Sequence, residues 1–333
     1  MSGTYRILAI DGGGIRGIIP ARILEEIEGR CGKPISQSFD LLAGTSTGGI
    51  IALGLAKPNA QGTPAYSARD MLKLYQDDGE TIFPSSLLLK VRTLGGLADV
   101  RYPAQPLEDL LNDRFGDTQL SQALTEVVIP SYDLSAPGPF FFKREYAKDG
   151  THTWDVAMAK VARATSAAPT YFDPARLPAF ENEGDHALVD GGTFSNNPAL
   201  AALVDGLRLR EEEQDILVVS IGTGHPPDTP GKGAIPVAAD AADGWGLARW
   251  ARPILEVVLD GAAKAVEYQL AQMSLAGDSP VRCFRLQSSI PTASHALDDA
   301  TEENRTKLLA DANSLIDSEM AKIDAICAAL DEA

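Results

Sequence analysis

The chain begins with the same arrangement twice: a short apolar run, a glycine-rich turn, and a segment with apolar residues at helical spacing. Tyr5–Ile10 (YRILAI) leads into Asp11 and three glycines, and Ile15–Cys31 then carries Ile19, Ile23 and Ile27 at the i, i+4 spacing of one helix face. Phe39–Ala43 leads in turn into Gly44-Thr45-Ser46-Thr47-Gly48-Gly49, and Ile50–Ala56 continues as an apolar helix that ends near Pro58. A strand that feeds a helix crosses over to a parallel neighbour, so two such units predict a doubly wound, mostly parallel sheet. The expected fold class is therefore α/β, with helices on the faces of the sheet.

The same alternation continues downstream. Strands are expected at Val127–Tyr132, Phe140–Lys143, Ala187–Val189, Ile216–Ile221 and Val281–Leu286. Helices are expected at Ser67–Asp77, Pro106–Phe115, Trp154–Thr165, Pro198–Arg210, Trp245–Leu275 and Glu302–Leu330, which makes the last third of the chain mostly helical. At roughly 150 residues per domain, 333 residues allow two domains. No repeat or break in composition marks a boundary, however, and the reading is one domain over 1–333, with a motif core at 6–205 and a helical extension at 240–333.

Two turns carry chemistry. Gly44-Thr45-Ser46-Thr47-Gly48 is G-x-S-x-G between a buried strand and a helix, the context of a nucleophile elbow, where the sharp turn pushes a serine hydroxyl out above the sheet. The helix start behind Ser46 favours negative charge developing there. Asp11-Gly12-Gly13-Gly14-Ile15-Arg16-Gly17 contains G-x-G-x-x-G, which also marks dinucleotide sites. That fingerprint needs an acid at the end of the second strand, where this chain has the serine turn, so NAD or FAD binding is the lesser reading. The other use of consecutive glycines is a cradle of backbone N–H groups for an oxyanion, with Arg16 pinning the loop.

A base is still needed, and the chain has only His152, His186, His225 and His295. Neither His225 nor His295 follows a convincing strand, and all four read as surface residues. Asp190 does follow a strand and is succeeded by Gly191-Gly192, which places a carboxylate on a close-approach turn. To serve as a base for a hydroxyl, it requires burial to raise its proton affinity. Cys31, Cys283 and Cys327 lack metal-ligand spacing and read as ordinary thiols, with no disulfide and no zinc site.

DGGGIRG at 11–17, GTSTGG at 44–49 and DGG at 190–192, in this order, resemble the three signature blocks of the patatin-like lipid acyl hydrolases, relatives of the cytosolic phospholipase A2 catalytic domain. ARATSAAPTYFDP, NNPAL, LVVSIGTG and RLQSSIPTASHALDDATEEN extend the likeness over nearly the full chain. The resemblance implies a three-layer α/β/α fold and a Ser-Asp dyad without histidine. Ser46 would be the nucleophile and Asp190 the base. Gly12, Gly13, Gly14 and the Thr47 N–H would form the oxyanion hole, with Arg16 steadying the loop and Gly17, Gly44, Gly48, Gly191 and Gly192 as motif glycines. It implies hydrolysis of fatty acyl esters of phospholipids or glycerolipids through an acyl-enzyme, with neither metal nor cofactor.

Partners follow from charge and patterning. With 29 Lys and Arg against 46 Asp and Glu, the net charge is −17, which excludes broad attraction to nucleic acid and anionic bilayers. The resemblance implies a lipid substrate, met in transient contact with a membrane or micelle surface. The basic and apolar segment 82–98, with Lys90 and Arg92, is a candidate for that contact. The absence of a signal-peptide pattern or a membrane-length apolar run points to a cytoplasmic protein, peripheral at membranes. Two further readings stand beside the hydrolase. One is a cyclic-nucleotide-activated phospholipase of a bacterial antiphage system, to which motif layout and length are similar. The other is a storage or binding protein with incidental esterase activity.

Overall fold

The protein is described by a computed structural model covering residues 3–83, 101–148, 155–178, 184–226, 245–250, 253–276, 279–287 and 289–332. The strands are β1 (Thr4–Ile10), β2 (Leu41–Gly44), β3 (Glu126–Asp133), β4 (Gly138–Lys143), β5 (Ala175–Leu177), β6 (His186–Asp190), β7 (Asp215–Ile221) and β8 (Val281–Leu286). They form one eight-stranded sheet in the order β5-β6-β3-β2-β1-β7-β8, with β4 paired to β3. The longer helices are α1 (Ile18–Cys31), α2 (Thr47–Ala56), α3 (Ala68–Ile82), α4 (Gln105–Phe115), α5 (Met158–Thr165), α6 (Ala199–Leu209), α7 (Pro253–Leu275), α8 (Glu302–Ser318) and α9 (Met320–Asp331).

Alternation along the strands builds two cores. Leu8, Ile10 and Leu42 face one side of the sheet and pack with Ile19, Ile23 and Ile27 of α1. Ile7, Ala9, Leu41 and Ala43 face the other, against Ala199, Ala202 and Leu203 of α6 and Leu270 of α7. The result is the expected three-layer α/β/α arrangement. Helix α2 is buried along its whole length, as a segment without a polar face must be.

The pairing is parallel for β1 with β2 and β7, for β2 with β3, and for β7 with β8. It is antiparallel for β3 with β4 and β6, and for β5 with β6. The sheet is thus mixed on one side, because β3 turns straight back into β4 through a short hairpin instead of crossing over through a helix. A single register detail positions the site. The same edge of β3 pairs first with β2, Val128 opposite Ala43, and three residues further on with β6, Ser131 opposite Asp190. β2 and β6 run toward each other, so the turn after Gly44 and the turn after Asp190 meet end to end beside Pro130.

Several elements differ from the sequence expectation. β5 is three residues long and carries no pattern of its own. β6 extends through Asp190 because that residue completes the pairing with Ser131. The helix expected over Glu302–Leu330 breaks at Glu319, whose backbone leaves the helical region, and both halves pack against α1. The segment expected over Trp245–Leu275 comprises a short turn at Leu247–Trp250 and then α7. Cys31 and Cys327, distant in sequence, are free thiols with sulfurs 3.1 Å apart at the α1 and α9 contact.

Ile323 and Ile326 of α9 belong to the same core as β1 and α1. Ile326→Ala is therefore expected to destabilise the whole chain by about 2–4 kcal/mol. Urea unfolding followed by tryptophan fluorescence and by far-UV circular dichroism should give coincident transitions, both shifted by the substitution.

Candidate active site

Ser46 ends the β2 turn and caps α2 with φ 55° and ψ −122°, a left-handed conformation that a non-glycine residue adopts only at a cost of roughly 1–3 kcal/mol. Its neighbours hold it there. The Ser46 N–H donates to Thr165 Oγ1 at 3.0 Å, and Thr165 Oγ1 donates in turn to the Pro130 carbonyl at 2.7 Å. Thr45 Oγ1 donates to the Ser195 carbonyl at 2.6 Å. The turn is so tight that a Cβ on Gly44 would lie 2.1 Å from the Gly48 carbonyl oxygen.

Asp190 arrives from the opposite direction. Gly191 lets the chain turn against β3, since a Cβ there would lie 2.3 Å from the Pro130 carbonyl oxygen. The Gly192 N–H donates to Asp190 Oδ1 at 2.7 Å, and the carboxyl lines the same cleft as the Ser46 side chain. Burial raises the Asp190 pKa from 3.8 to about 6, and the nearby Ser46 hydroxyl and the Gly192 N–H offset only part of that rise. This is the elevated proton affinity that a carboxylate needs to accept a proton from a hydroxyl.

The glycine loop lies beside Ser46. Among the described residues the N–H groups of Gly13, Gly14 and Thr47 have no partner. Gly12 differs from the expectation. Its N–H is taken by the Asn196 carbonyl at 3.0 Å, so it cannot serve an oxyanion; its place is steric, close to Ser46 Cβ and the Asn196 side chain. Arg16 reaches the carbonyls of Gly13 and Gly224, each at 3.4 Å, and so ties the loop to the chain after β7. Gly17 packs on the Thr47 side chain, and Gly48 on the Ile10 carbonyl.

The histidines are only partly where the sequence put them. His186 is buried rather than at the surface, with Nδ1 2.5 Å from Asp133 Oδ2, because β6 carries it into the layer against Phe140. His225 and His295 are half-buried along a polar cavity behind the glycine loop, and His152 lies outside the described residues. No described histidine lines the cleft that contains Ser46 and Asp190. Lys90, Arg92 and nearly all of the segment 82–98 also lie outside the described residues.

Sequence reasoning missed Arg285. From β8, its guanidinium takes both carboxylate oxygens of Asp11, Nη1 to Oδ1 at 3.0 Å and Nη2 to Oδ2 at 2.6 Å, and donates to Ser220 Oγ at 2.8 Å. Asp11 starts the glycine loop and is 2% exposed, so burial drives its carboxyl upward and the fork of Arg285 opposes that. The signal in the sequence was an arginine within an otherwise apolar strand pattern, VRCFRL.

The cleft above Ser46 is walled mainly by apolar side chains, among them Ile50, Tyr75, Phe83, Phe172, Leu255 and Leu259. The patatin-like phospholipase family model matches residues 8–203. The chain belongs to the patatin-like phospholipase family. Patatin-like protein 2 of Oryza sativa subsp. indica is 33% identical over 96% of this chain and 85% of its own, and that of Arabidopsis thaliana is 33% identical over 96% and 84%. Patatin-T5 of Solanum tuberosum is 31% identical over 95% of this chain and 84% of its own. The solved structure of human GIVD cytosolic phospholipase A2 aligns with a TM-score of 0.46 at 14% identity, over 99% of this chain and 61% of that one. Family membership places this protein among the lipid acyl hydrolases.

Removing the Asp11 counterion strands a buried charge. Arg285→Met is expected to cost about 3–5 kcal/mol in denaturant unfolding. The double variant Asp11→Asn/Arg285→Met should recover part of that loss, because the uncompensated carboxylate is gone.

Proposed function

We propose that this patatin-like protein hydrolyses acyl esters of phospholipids and other glycerolipids by a Ser46–Asp190 dyad. The observation that carries the reading is the convergence of the strained Ser46 and a buried carboxylate with raised proton affinity on one apolar cleft. Ser46 Oγ attacks the ester carbonyl carbon while its proton passes to Asp190. The carbonyl oxygen becomes an oxyanion beside the unpartnered N–H groups of Gly13, Gly14 and Thr47. Collapse expels the alcohol, which takes the proton from Asp190 and leaves an acyl-enzyme. Water then attacks the acyl carbon, gives its proton to Asp190, and the fatty acid leaves as Ser46 regains its hydrogen.

The storage reading is less well supported. Both the left-handed Ser46 and the desolvated Asp190 cost stability, and a storage role makes no use of either. The comparison alone would not decide this, since a relative named probable inactive patatin-3-Kuras 1 of Solanum tuberosum is 32% identical over 91% of this chain. No described feature favours a cyclic-nucleotide site.

Ser46→Ala is expected to lower kcat on a short-chain ester on the order of 10⁴-fold, and a fluorophosphonate should label Ser46 alone, as read by mass spectrometry. With Asp190 titrating at about 6, kcat/KM should rise with pH through that value along a limb of unit slope. Full activity in Ser46→Ala, or a flat profile across pH 5–7, would sink the dyad.

The same shift has a stability consequence. The folded pKa of Asp190, about 6, lies above its ordinary 3.8, so the fold holds this proton more tightly than the unfolded chain does. Its contribution is fully present below about pH 4 and is lost as pH rises through 6. Asp190→Asn removes the ionisable group and should be more stable than wild type above pH 6, by up to about 3 kcal/mol. The difference in Tm should shrink toward pH 4.

A further inference from the structure

Helix α7 has three faces along its 23 residues. Leu259 and Leu255 line the cleft, and Ala263 and Leu270 are buried beneath. Glu256, Asp260, Lys264 and Glu267 form a charged edge whose groups are already engaged. Asp260 pairs with Lys264 at 3.0 Å, Glu267 lies 3.6 Å from Arg285, and Glu256 is half-buried and interacts with Arg16. The third face holds positions 254, 258, 261, 265, 268, 272 and 275, which are Ile, Val, Gly, Ala, Tyr, Gln and Leu, all exposed. On a helical wheel they make a stripe roughly 100° wide.

That stripe is unusual for this molecule. Ile254, Val258, Tyr268 and Leu275 are 47, 40, 67 and 77% exposed, and none of the seven positions is charged, in a chain of net charge −17. Just before the helix, Trp250, at the end of the short turn Leu247–Trp250 that contacts α7, stacks edge to face at 5.6 Å with Trp245, which precedes that turn, and both are half-buried. Tryptophan next to an exposed aliphatic stripe is the composition of a helix lying in a lipid interface. Among the described residues no helix is long and apolar enough to cross a membrane, so such a helix would lie on the surface.

We propose that the outer stripe of α7, with the Trp245–Trp250 pair, docks on a zwitterionic lipid surface. Continuity with the substrate cleft identifies the occupant. Ile254 and Val258 face outward on the same two turns from which Leu255 and Leu259 face into the cleft, so an acyl chain leaving the surface along α7 passes from the stripe to the cleft wall without crossing a polar barrier. Charge narrows the choice further. An uncharged stripe on an acidic protein gains nothing from anionic headgroups and is repelled least by zwitterionic ones. The proposal rests on the lipid-hydrolase reading, and it replaces the segment 82–98 as the surface argued to make the contact.

The test uses the full chain with the double variant Ile254→Asp/Val258→Asp, and Leu134→Asp as a control at an exposed leucine on the β3–β4 turn. Sedimentation with phosphatidylcholine vesicles and fatty acid release from them should both fall about tenfold or more in the double variant and stay unchanged in the control. Hydrolysis of a water-soluble short-chain ester should match wild type in both. The tryptophan emission of wild type should shift to shorter wavelength on adding vesicles. Unchanged vesicle binding by the double variant, or a dimer closed through the stripe that persists with vesicles present, overturns the proposal. Wild type that cleaves no soluble ester instead overturns the hydrolase reading, independently of whether it sediments with vesicles.

Discussion

Everything at this site depends on two chain turns meeting on one edge of β3. β2 runs up that edge and ends in the Ser46 turn; β6 runs down it and ends in Asp190; Pro130 lies between them. A proline has no N–H to offer a ladder, which suits the one position of the strand where its neighbour changes. The carbonyl of Pro130 is used instead, accepting from the Thr165 hydroxyl that holds the Ser46 backbone. The junction where the ladder is interrupted thus also orients the candidate nucleophile.

That arrangement has an energetic cost in two places, a left-handed serine and a carboxylate removed from water. The surrounding chain offsets it with rigid anchors from elements far apart in sequence. Arg285 comes from β8, well beyond the residues 8–203 that define the family match, and clamps the start of the glycine loop through Asp11. Arg16 ties the other end of the loop to the turn after β7. The C-terminal part of the chain therefore contributes to the site as well as to the core. It supplies the counterion at the bottom of the loop, and α7 supplies part of the cleft wall above it.

The charge distribution gives these parts a common logic. A strongly acidic surface cannot hold a lipid aggregate by electrostatics, so affinity must come from local apolar area. The cleft and the outer face of α7 provide that area side by side, while the acidic side chains of the helix are turned toward Arg16, Arg285 and Lys264. One helix is thus divided into a wall, an outer stripe whose seven positions lack charge, and a charged edge.

Much of the site could be read from local pattern. The strand-turn-helix units, the three-layer class, the elbow at Ser46, the glycine loop and the carboxylate on a glycine turn all depend on residues close in sequence, whose turn chemistry and periodicity are local. The antiparallel return of β3 into β4, the break at Glu319 and the burial of His186 did not show, because each is decided by what packs against it. The unavailability of the Gly12 N–H was equally hidden, since its partner is the Asn196 carbonyl, far along the chain. Sequence by itself determined which groups exist to do chemistry and which backbone turns present them. Only the tertiary structure decided that Asp190 is desolvated against Ser46, that Arg285 is the counterion of Asp11, and that one face of α7 stays bare. Burial and proximity between distant segments are properties of packing, which no local window of residues contains.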